Sequence, residues 1–71
     1  MNIEKMKRFM DEHNLTPKDM AKAANINEST WFSKVNRNGD TLTVKEMNMI
    51  ISAFGMKRTE AAEIFFGEKL A

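Results

Sequence analysis

Glu28, Ser29, Phe32 and Ser33 fall within one short stretch and together offer an acidic acceptor, two small hydroxyls and an apolar ring. That set suits recognition of another molecule by hydrogen bonds and apolar contact. It lacks the parts needed to break a covalent bond. The 71-residue chain has no Cys, and His13 is its only histidine, which excludes disulfides, thiolate nucleophiles and His-rich metal clusters. No nucleotide-binding loop occurs and no nucleophile has a base nearby, while the acidic pair Asp11 and Glu12 reads as a solvated helix surface. The expectation is a chain that is not an enzyme and takes no cofactor or metal.

The elements that must position those four residues are two short helices joined by a tight turn, in residues 16–36, TPKDMAKAANINESTWFSKVN. The first has a complete start signal: Thr16 as N-cap, Pro17 at the first helical position and Asp19 three residues past the cap. Met20, Ala21 and Ala24 share one side of it, and the small Ala21 lets a second helix approach closely. Asn25 stands where a sharply turning chain needs a left-handed residue. Ile26 buries the turn, and Asn27 caps a second helix in which Trp31 and Val35, four apart, face inward.

Ala21, Asn25, Ile26, Trp31 and Val35 match, in order and spacing, the small, turn and apolar positions of the lambda-repressor-like helix-turn-helix family, also called Xre or Cro-type. The chain resembles that family over nearly its whole length, although Asn25 replaces the usual Gly of the turn. It looks most like short Cro-like regulators of temperate phages and integrated elements. The resemblance implies an all-α, compact five-helix domain with the helix-turn-helix at helices 2 and 3.

It also implies that the second helix of the motif enters the major groove while the first crosses the backbone. Carried over by position, Glu28, Ser29 and Ser33 would read bases and Phe32 would touch a thymine methyl. Pro17, Lys18, Lys34, Arg37 and Asn38 would meet phosphate, with Lys18 and the amides near Pro17 and Lys18 acting at the start of their helix.

The remainder fits this arrangement. Ile3, Met6, Phe9, Met10 and His13 recur at helical spacing and predict an amphipathic first helix over residues 2–13, with His13 near its end serving the helix dipole. Asn38-Gly39 signals a turn after the recognition helix. Thr43 to Glu46 is a second capping box, opening a fourth helix with Val44, Met47, Ile50, Ile51 and Phe54 as its apolar side and Gly55 as its stop. A short fifth helix closes with Ile64, Phe65 and Phe66 before Gly67. Adjacent helical positions diverge by about 100°, so Phe65 and Phe66 do not both enter one small core easily. One of the two is expected at a dimer interface. Met56 continues the apolar packing past Gly55, and of the seven Met residues only Met49 and Met56 remain candidates for the surface.

Residues 1–71 make one domain, near the lower size at which a hydrophobic core alone holds a fold, so a homodimer interface would help. Neither a secretory signal nor a membrane-spanning stretch is present, which predicts a cytoplasmic protein with no membrane partner. Eleven Lys plus Arg against ten Asp plus Glu give a net charge of only +1, far below the strongly basic footprint of a general nucleic-acid binder. None of the candidate base readers is a bidentate Arg, Asn or Gln, so direct readout is thin.

The expected function is sequence-specific binding of double-stranded operator DNA as a Cro/Xre-type transcriptional regulator of a phage or mobile-element switch. The alternative is an anti-repressor or co-regulator that docks the same exposed helix on a cognate repressor protein.

Overall fold

The computed structural model describes residues 1–67 and contains five helices in chain order: α1 (Ile3–Glu12), α2 (Pro17–Ala23), α3 (Glu28–Asn36), α4 (Val44–Phe54) and α5 (Arg58–Phe65). The all-α class and the five-helix count agree with the sequence reading.

Most helix starts are local. At α2 the Thr16 N–H donates to Asp19 Oδ2 at 2.8 Å and the Asp19 N–H returns a bond to Thr16 Oγ1 at 3.2 Å. At α4 the Thr43 N–H reaches Glu46 Oε1 at 2.8 Å and the Glu46 N–H reaches Thr43 Oγ1 at 3.1 Å. Each box satisfies backbone donors that the first helical turn leaves without partners. One start was not anticipated: α1 begins at Ile3, with Asn2 as its cap accepting from the Lys5 N–H at 3.1 Å.

The ends of α1, α2 and α3 share one device. Asn14, Asn25 and Asn38 take left-handed backbone angles, with φ of 55°, 58° and 60°. After each, the next N–H turns back to the carbonyl five residues earlier: Leu15 to Met10 at 2.8 Å, Ile26 to Ala21 at 3.0 Å and Gly39 to Lys34 at 2.8 Å. This is the Schellman arrangement with Asn in the place usually held by Gly. Leu15 and Ile26, just past the first two ends, pack against the core and set where the next helix begins.

The core is wholly apolar among the described residues, with no buried polar or charged side chain. Met6, Met20 and Ile50 are its most enclosed members, with Phe9, Trp31 and Phe65 around them. α5 closes the fold on α1: the Asn2 N–H donates to the Ile64 carbonyl at 2.6 Å and Lys5 Nζ lies 2.8 Å from Glu63 Oε2.

Two expectations change, at Val44 and Met56, while His13 and the Phe65–Phe66 pair are resolved in detail. Val44 is 64% exposed rather than part of the apolar side of α4. At about 100° per residue it lies about 70° from the centre of the stripe formed by Met47, Ile50, Ile51 and Phe54, and Leu42 before the cap is buried in its stead. Met56, a candidate for the surface, is buried as the chain turns from α4 into α5. His13 is the C-cap of α1, exposed, with its ring centroid 4.3 Å from that of Phe9. Phe65 points into the core at 3% exposure while Phe66, one position on, is 56% exposed.

Candidate nucleic-acid interface

α3 is held by its buried side. Trp31 sinks into the core at 2% exposure and Val35, one turn on, packs against it half-buried. A helix anchored through those positions presents the opposite face outward. Ser29, Phe32 and Ser33 are exposed on the sides away from Trp31, while Glu28, three residues before Trp31, is exposed at the N-terminal end of the helix. The sequence-predicted recognition residues are therefore all accessible.

Local bonds limit what some of them offer. Asn27 Oδ1 caps α3 by accepting from the Thr30 N–H at 2.9 Å, and it also accepts the Ser29 hydroxyl at 2.9 Å and the Thr30 hydroxyl at 2.6 Å. With its proton committed to Asn27, the Ser29 oxygen faces outward as an acceptor. Ser33 is under no such restraint among the described residues. Asn36, the last residue of α3, is also exposed and lies three or four positions beyond Phe32 and Ser33 on the same side. Sequence reasoning passed over Asn36, although that spacing was the available signal.

The residues expected at phosphate separate into two groups. Lys18, Arg37 and Asn38 are exposed. Asn38 occupies the left-handed end of α3, with its side chain directed outward from the turn. Pro17 is half-buried, has no N–H to donate, and helps line an apolar recess of about 210 Å³ with Ile3, Met10, Trp31, Phe32 and Val35.

Lys34 is the clearest departure. Its ammonium donates to the Thr41 carbonyl at 2.7 Å and lies 3.4 Å from Glu46 Oε1, with only 16% of the side chain exposed. It is committed inside the protein, because α3 passes close enough to the α4 cap for its long stem to reach a ready acceptor and a carboxylate.

Asp19 and Glu46 on this side are held in their charged form. Hydrogen bonds from the Thr16 backbone and then its hydroxyl hold the Asp19 carboxyl below its ordinary value of 3.8, helped by Lys22 and Lys18 and opposed by desolvation. Burial pushes the Glu46 carboxyl upward from 4.5, but bonds from Thr43 and Lys34 outweigh it and leave it lowered. Over residues 16–46 the bases Lys18, Lys22, Lys34, Arg37 and Lys45 face the acids Asp19, Glu28, Asp40 and Glu46, so the surface is nearly neutral. Asp19 also stands at the α2 N-terminus, where its carboxylate takes the place an incoming phosphate would favour.

Of the two rings considered for a dimer interface, Phe65 is withdrawn into the core and Phe66 alone is accessible. Phe66 borders an open groove with Ile51, Met56, Arg58, Ala61 and Ala62. Among the described residues no group of three or more His, Cys, Asp or Glu is placed to hold a metal ion, and no helix is long and apolar enough to cross a membrane.

Neither the curated proteins nor the solved structures yielded a significant match. The sequence of helix ends, the Trp31-anchored α3 and its outward polar strip agree with a match to a family of DNA-binding domains over residues 5–65, and the chain belongs to that family, the Cro/C1-type helix-turn-helix DNA-binding domains.

Proposed function

We propose that this chain is a sequence-specific transcriptional regulator of the Cro type that reads operator DNA through the exposed strip of α3, in the genetic switch of a phage or mobile element. The observation that carries this reading is the accessible row Glu28, Ser29, Phe32 and Ser33 on a helix anchored by Trp31. Glu28 accepts from cytosine N4, Phe32 contacts a thymine methyl, and the serines bond to base edges. Lys18 and Arg37 supply the phosphate contacts, with Lys45 as a further cation. Two copies joined through Phe66 read two half-sites, and the second copy compensates for the thin readout of each α3.

The test is a fluorescence titration of the purified chain against the intergenic DNA beside its own gene at two salt concentrations. Contacts by Lys18, Arg37 and Lys45 give a log–log salt slope of about −2.7 per copy and about −5.4 for two copies on one operator, from about −0.9 per phosphate. Absence of saturable binding at low salt rejects the reading.

A second reading is favoured by the near-neutral surface and by Phe32, 46% exposed beside the apolar recess between α1 and α3. In it the same strip docks on a cognate repressor, with Glu28 covering part of that protein's basic DNA face. A changed repressor footprint on mixing, without DNA binding by this chain alone, selects this reading. Phe32→Ala and Glu28→Lys then abolish the complex.

A further inference from the structure

The segment between α3 and α4 is closed from several directions. Its turns are joined by bonds from the Asn38 N–H to the Val35 carbonyl at 2.9 Å, from Gly39 to Lys34 at 2.8 Å, and from Leu42 to Gly39 at 3.0 Å. Gly39 has φ of +78°, and a Cβ built there would stand 2.7 Å from Met1 Cβ, so the N-terminus covers the turn as well. Lys34 spans this segment twice. Its carbonyl holds the Gly39 amide, while its ammonium holds the Thr41 carbonyl and pairs with Glu46. Glu46 Oε1 is simultaneously the acceptor for the Thr43 N–H at the α4 cap. One carboxylate oxygen therefore joins the start of α4 to the last turn of α3.

We propose that Lys34 and Glu46 are a positioning pair, a clasp that holds residues 37–43 against α4 and so sets where Arg37 and the C-terminal half of α3 meet the ligand. Neither side chain reaches the ligand itself. Both are about five-sixths buried, at 16% and 15% side-chain exposure, and their charges cancel locally. Such a pair differs from an exposed surface bridge, because it couples two elements through a shared acceptor and does not depend on free side chains finding one another. The direction in which the clasp acts is opposite to that of simple electrostatics. Removing the Glu46 charge makes the surface more positive, which by itself strengthens DNA binding, yet it releases the segment that carries Arg37.

The experiment uses Lys34→Met, which keeps an apolar stem, and Glu46→Gln, which keeps an oxygen to accept the Thr43 N–H. Amide exchange in the free protein is read at Asn38, Gly39 and Leu42, with α1 and α5 as internal reference. The expected result is exchange about tenfold faster at those three amides and unchanged in the reference helices. Lys34→Arg, retaining a charged donor, restores protection. On DNA, both variants lose affinity several-fold while the salt slope stays at the wild-type value, whereas Arg37→Met makes it shallower by about 0.9 for each bound copy.

A slope shallower by the same amount in Lys34→Met makes Lys34 a phosphate contact and overturns the proposal. Tighter DNA binding by Glu46→Gln with unchanged exchange also overturns it. The affinity arm rests on the DNA-binding reading and the exchange arm does not. If the wild-type chain binds no DNA, unchanged exchange in both variants still refutes the clasp.

Discussion

The starts of α2 and α4 are built from the same local pattern, Thr followed three residues later by an acid, yet they have different places in the molecule. At α2 the acid is Asp19, exposed, and its bonds stay within the first turn and Thr16. At α4 the acid is Glu46, one methylene longer and largely buried, and it reaches beyond its own helix to Lys34 on α3. A capping box is thus a complete local solution in one case and one end of a tertiary connection in the other. The pattern announces that a helix begins. It does not announce what else the carboxylate touches.

Substitutions in the two regions differ in the size of their effect. The largest effect comes from emptying part of the core: Trp31→Ala costs about 3–5 kcal/mol. In a domain of this size each kcal/mol moves the melting point by about 4–8 °C, so thermal denaturation followed by circular dichroism should show the midpoint lowered by at least about 12 °C. Next come the caps. Thr16→Ala and Thr43→Ala each cost about 1 kcal/mol by denaturant titration. Their reach differs: Thr43→Ala should also speed amide exchange at Gly39 and Leu42, whereas Thr16→Ala leaves those amides protected.

The pH dependence follows from the direction of the two shifts. Both carboxyls titrate lower in the folded than in the unfolded chain, so their contribution is present above the unfolded values of 3.8 and 4.5 and is lost as pH falls through the lower folded values. Stability should therefore decline below about pH 5. Glu46→Gln should flatten part of that acid limb, and an unchanged limb would show that the Thr43 and Lys34 contacts do not persist in solution. The smallest stability effect is at the exposed ring. Phe66→Ser should change folding stability by no more than about 0.5 kcal/mol, while light scattering reports whether it converts a dimer to monomer.

Much of the fold was legible because its signals are short-range. Thr16, Asn27 and Thr43 cap the helices they were expected to cap, Asn25 takes the left-handed angle its turn requires, and Gly55 stops α4 with φ of 60°. Each depends on residues within about five positions of one another, and the bonds concerned form in almost any surroundings. The exposed strip of α3 was legible for a related reason, since Trp31 and Val35 at a spacing of four leave few choices for which face is buried. Asn2 was the exception among the caps, passed over because the apolar repeat of α1 does not mark its own boundary.

Other assignments had no such local marker. The choice between Phe65 and Phe66 depends on how α5 docks against α1 through the Asn2–Ile64 and Lys5–Glu63 contacts, which join the two ends of the chain. Val44 had the right residue type for the core, but it sits at the edge of a stripe whose centre is set by the other helices. Lys34 read as a phosphate contact because a lysine in the last turn of an exposed helix usually has only water around it.

By itself, then, the sequence determined where helices start and stop and which face of α3 is free, because those follow from hydrogen bonds and side-chain periodicity within a few residues. Only the tertiary structure decided which ring closes the core and which basic residue is spent on holding the fold. Those outcomes turn on groups far apart in the chain, such as Lys34 and Glu46, whose meeting exists only once α3 and α4 are packed.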